Sequence, residues 1–92
     1  MKHLIDVALA LATEFLPFRL RDAAQVVRTL VDSLDLPDSD PAWERVAEYT
    51  ADVLSDIRAA QHGTASEQDA ARLAAEAKFH RHLRDAGLVD RA

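Results

Sequence analysis

Apolar residues recur along this chain at intervals of three and four, the spacing of one face of an α-helix. In the first segment, about 2–16, Leu4, Ala8, Leu11 and Phe15 form one stripe, and Ile5, Leu9, Ala12 and Leu16 form a second beside it. So wide an apolar arc predicts that this helix is the most buried one or meets two neighbours. Pro17 is expected to end or kink it. In the second segment, about 20–35, Ala23, Val26, Val27, Leu30, Val31 and Leu34 repeat on one face, while Asp22, Gln25, Arg28, Thr29 and Asp32 take the other. That is the pattern of an amphipathic surface helix.

The clearest loop covers 36–40. Asp40 before Pro41 is a helix start: a side-chain acceptor, then a proline where its missing N–H costs nothing. The third helix is predicted over about 41–62, with Trp43, Val46, Ala47, Thr50, Val53, Leu54 and Ile57 inward and Gly63 as its stop. Ser66 to Asp69 resembles a capping box with Ser66 as the cap and Asp69 replacing the usual Glu. It opens a fourth helix over about 67–86, closed by Gly87. Its apolar face is weak: Ala71, Ala75, Phe79, Leu83 and Ala86 on one side, Ala70, Leu73 and Ala77 on another. Alanine pins a helix poorly but permits close approach, so this helix is expected to dock last, or on a second chain. Strand-like alternation is absent. The expected fold is all-α, a small up-and-down bundle of three to four helices, with residues 1–92 as one domain and 87–92 as a short tail.

Composition narrows this only a little. The chain has 92 residues, enough for one thin core. It is 49% apolar and 29% charged, as a globular domain is. With no cysteine it has no disulfide, thiolate chemistry or cysteine-bound zinc, which fits a reducing compartment. The apolar run Val7 to Ala12 is bounded by Asp6 and Glu14, and only Lys2 precedes it as a basic residue. It reads as a buried helix rather than a secretory signal, so cytoplasmic residence is expected. No stretch approaches the roughly 18–20 apolar residues of a membrane span.

Charge supplies the candidate sites. Glu44, Glu48, Asp52 and Asp56 follow one another at four-residue steps and form a like-charged ridge on the third helix. Three such steps cost roughly 1 kcal/mol in an isolated helix, which calls for a nearby cation. The fourth helix carries Arg72, Lys78, Arg81 and Arg84 against Glu76, with His80 and His82 adding conditional charge. The two sets are expected to pair within the chain or across a dimer. They make the chain a non-enzymatic protein–protein interaction module, self-associating, with the ridge as docking surface. A protein partner or a second copy, hence a homo-oligomer, is the expected company.

Two other classes remain. The acidic run continues through Asp32, Asp35, Asp38 and Asp40, so the chain could act as an acidic inhibitor or adaptor that fills a basic groove or imitates nucleic acid. Alternatively the basic fourth helix could bind nucleic acid, against which the net charge of −5 weighs. No cofactor or metal is expected: His80 and His82 stand about 200° apart around a helix and cannot hold one ion together. A glycine-rich phosphate loop, a nucleophile elbow and HExxH are all missing, so no enzyme is expected. Around Pro17, the alternation Phe18, Arg19, Leu20, Arg21 reads as a helix–helix corner with arginines reaching to solvent. No motif covers enough of the chain to suggest a family.

Overall fold

The computed structural model describes residues 2–89 and contains four helices: α1 (Lys2–Phe15), α2 (Phe18–Asp32), α3 (Ala42–Ala59) and α4 (Ala65–Asp85). No strand occurs among the described residues. The fold is a small all-α bundle, as the periodicity predicts. Residues 90–92 of the predicted tail lie outside the described residues, but Leu88 and Val89 are half-buried and pack on the core.

Helix boundaries follow local chemistry. Pro17 ends α1 outright: it is extended (ψ 152°), and its carbonyl accepts the N–H groups of Leu20 and Arg21. α2 therefore starts at Phe18, two residues before its predicted start. Asp40 behaves as expected of a cap, its carboxylate accepting the N–H of Ala42 at 2.8 Å. The buried Trp43 indole N–H donates to the Pro37 carbonyl at 2.8 Å and ties the preceding loop to α3.

Two expectations are corrected. The cap of α4 is Thr64, not Ser66. The Thr64 hydroxyl accepts from the Glu67 N–H at 3.1 Å, and the Glu67 carboxylate accepts from the Thr64 N–H at 3.0 Å, a full capping box. Those bonds hold the Glu67 carboxyl below its ordinary range, the backbone N–H of Thr64 contributing most. Next, α3 stops at Ala59, before Gly63, which is not left-handed. Gly63 is needed for space: a Cβ there would meet the Glu67 Cβ at 3.2 Å and the Ala60 carbonyl at 3.3 Å. Gly87 does act as the predicted stop. At φ 73° it passes the Leu88 N–H back to the Leu83 carbonyl, a Schellman motif.

The packing also decides between the alternatives left open for the two outer helices. α2 and α3 sit centrally, and both α1 and α4 pack against them. α1 and α4 do not touch among the described residues, so they flank the central pair from opposite sides. α4, expected to dock last or elsewhere, is seated on its own chain through fully buried Ala75, Phe79 and Leu83. It packs on both α2 and α3, and Ala23, Ala24 and Val27 of α2 are fully buried as well. α1 meets two neighbours but is not the most buried helix. Its Ile5, Leu9, Ala12 and Leu16 stripe enters the core, while Leu4, Leu11 and Phe15 remain outside.

Candidate functional site

The predicted charges meet along the seam of α3 and α4. Lys78 Nζ donates to Asp52 and Asp56, each at 2.9 Å, and His82 Nε2 lies 3.1 Å from Asp52. Asp52 pairs with the later residue of α4 and Asp56 with the earlier one, so the two helices run antiparallel. The His82 ring stacks flat on Tyr49, centroids 4.6 Å apart and planes 4° apart. The Lys78 ammonium, followed by His82, holds the Asp52 carboxyl below its ordinary range. Asp56 and then Asp52 raise the Lys78 ammonium above its own.

This arrangement uses half of the predicted ridge. Asp52 and Asp56 are occupied by Lys78, and Arg72 reaches along its own helix to Glu76 at 3.6 Å. Glu44, Glu48, Arg81 and Arg84 take part in no ion pair among the described residues. A further tether joins the first turns of α2 and α4, where Arg19 pairs with Asp69 at 3.3 Å. At the Pro17 corner, Arg21 donates to the Leu16 carbonyl at 2.9 Å. Both arginines are thus engaged, yet the aromatics beside them are not. The seam is an internal clasp between two helices.

A second surface lies on the opposite flank, and sequence reasoning did not single it out. Leu4, Leu11 and Phe15 of α1 are 63%, 51% and 77% exposed, and Phe18 at the start of α2 is 75% exposed. Between α1 and α3 runs an open groove of about 370 Å³, lined by Leu4, Ile5, Ala8, Ala47, Ala51 and Leu54, with Ser55 and Arg58 at its edge. It continues past Leu11 and Phe15 toward Arg58 and Gln61. Apart from Thr50, Ser55, Arg58 and Gln61 the lining side chains are apolar, and they hold no convergent set of reactive groups. No group of three His, Asp or Glu residues able to hold a metal occurs among the described residues.

The signal for this surface was present in the two parallel stripes of α1. A helix flanking two others has one face to bury, and the second stripe then stays outside.

No helix among the described residues is long and apolar enough to cross a membrane. Comparison with protein-family models, curated proteins and solved structures finds no match to this chain.

Proposed function

We propose that this chain is a non-enzymatic protein–protein interaction module whose working surface is the α1–α3 face, in a cytoplasmic setting that its cysteine-free sequence fits. One observation carries the reading: three large apolar side chains, Leu4, Leu11 and Phe15, stand exposed along the groove side of α1 in a 92-residue protein. Contiguous apolar surface rimmed by polar residues marks a docking site on a small soluble domain. An open groove between two parallel-running ridges accepts a helix in the manner of other helix-in-groove complexes.

The two competing readings have less to work with. An acidic inhibitor would rely on the ridge, and Asp52 and Asp56 are already neutralised by Lys78. A nucleic-acid binder would rely on the fourth helix, and Lys78 and Arg72 both face acidic partners.

The test places a photo-activated cross-linking residue at Leu11, and separately at exposed Ala70 on α4, in cells that make the protein. A protein adduct is expected from position 11 and not from position 70. Absence of any protein adduct at position 11 overturns the proposal.

A further inference from the structure

We propose that the occupant of the α1–α3 face is a second copy of the chain, laid antiparallel across a two-fold axis near Ala51. The inference rests on reading that face as the docking surface.

The argument begins with the outer edge of α3. Ala47, Ala51, Ser55 and Arg58 line the groove. Glu44 precedes Ala47 by three residues and Ala51 by seven, so it continues the same face. The resulting series Glu44, Ala47, Ala51, Ser55, Arg58 has spacings of three, four, four and three. It is symmetric about Ala51, with small residues at the centre, an acid at one end and a base at the other. Neither Glu44 nor Arg58 has an ion-pair partner among the described residues.

A two-fold axis across the helices sets Ala51 against its counterpart and Ala47 against Ser55. It also sets Glu44 of each copy against Arg58 of the other. Small side chains at the crossing permit close helix approach. A two-fold axis along the helices would instead stack Arg58 on Arg58 and Glu44 on Glu44, and like charges facing each other are unfavourable. Charge therefore selects the antiparallel arrangement, and a C2 interface is isologous by construction.

α1 has the same internal symmetry. Leu4, Ala8, Leu11 and Phe15 are spaced four, three and four. Leu4 and Ala8 share the groove with Ala47 and Ala51 near the axis, and Leu11 and Phe15 flank the Arg58 that meets the other copy's Glu44. The face is two helices wide, about 20 Å, and about 21 Å long over 14 residues of α1. That falls short of the ~800 Å² per partner of a standard interface, so the dimer is a reversible one.

Sedimentation equilibrium from about 1 μM to about 1 mM spans the affinities such a face gives. A monomer–dimer equilibrium is expected, abolished in Leu11→Asp/Phe15→Glu. Arg58→Glu alone and Glu44→Arg alone each alter two contacts per dimer, and each should weaken it about tenfold or more. The double reversal should return it to near wild type, a rescue that misfolding would not produce. Circular dichroism confirms the helix content of each variant. A dimer indifferent to Leu11→Asp/Phe15→Glu overturns the face, and a dimer without charge rescue overturns the two-fold. A strict monomer at about 1 mM, with the position 11 cross-link going to a different protein, overturns self-association and leaves the docking surface standing. A monomer with no adduct overturns both.

Discussion

α1 and α4 occupy equivalent places, one on each side of the α2–α3 pair, and they reach burial by opposite routes. α1 is rich in large apolar residues and leaves four of them exposed, Leu4, Val7, Leu11 and Phe15. α4 is rich in alanine and charge, fully buries two of its three large apolar residues, Phe79 and Leu83, and leaves Leu73 exposed. Polar tethers explain part of this. α4 is fastened by Arg19–Asp69, by Lys78 on two aspartates and by buried Gln68, whose amide donates to the Gln61 and Gly63 carbonyls. α1 makes no ion pair among the described residues, and its Lys2 only rests 5.9 Å from the Trp43 ring centroid. Hydrophobic content therefore does not rank helices by burial. What decides is how many faces have neighbours, and a surplus apolar face on a well-seated helix is left for something else.

The largest expected effect breaks the comparison at its aromatic residues. Phe79 is fully buried, and Phe79→Ala should destabilise the protein by about 3–5 kcal/mol. That is a large share of the 5–15 kcal/mol typical of a whole domain. Phe15→Ala, measured on dilute monomer, should change stability by less than about 0.5 kcal/mol. Denaturant unfolding of both variants checks this. If Phe15→Ala costs as much as Phe79→Ala, the face of α1 is part of the monomer core and the docking argument falls.

How much of this was legible from sequence follows from what periodicity encodes. It fixes direction around a helix, so most of the inward faces of α2 and α3 was readable, from Val27 and Val31 to Trp43 and Ile57. The fully buried Leu20 and Ala24 fell outside the predicted stripe, and Val26 and Leu30 inside it are only half-buried. That the acidic third helix calls for a cation from the fourth was readable too, but not that Lys78 would be the one, nor that it would come from the same chain. Periodicity does not say how many neighbours a helix has. The Leu4 and Ile5 stripes are therefore indistinguishable until the packing is known, and only then does one become core and the other surface. α4 was underrated for a related reason. Alanine contributes little hydrophobicity yet allows close approach, and that gain exists only in the folded arrangement. Thr64 was a readable miss: with Glu67 three residues later it forms the complete capping signature, which Ser66 lacks.

A middle-sized effect sharpens how α4 begins. Thr64→Ala removes the acceptor for the Glu67 N–H and should cost about 1 kcal/mol, within the 0.5–2 range for lost caps. Ser66→Ala, two residues further in and exposed, should lie within about 0.5 kcal/mol of wild type. Thermal melts of the two variants separate these outcomes. An equal loss from Ser66→Ala would mean that the helix starts later than Thr64.

The smallest effect tests whether the clasp helps seat α4, because exposed ion pairs are worth little singly. The signs follow from the two shifted groups. Asp52 is held below its ordinary value of 3.8, so its contribution is present above that value and is lost as pH falls through the lowered one. Lys78 is held above its ordinary 10.5, so its contribution is present below that value and is lost as pH rises through the raised one. Between these limits the clasp is intact. Acidification below about pH 3.8 should therefore weaken amide-exchange protection along α4 more than along α1, which has no comparable ion pair among the described residues. In Asp52→Asn that difference between the helices should shrink, since the substituted side chain carries no charge to lose. If α1 loses protection in step with α4 in both proteins, acid acts on the whole fold at once. The clasp then marks where α3 and α4 meet without helping to hold α4 there.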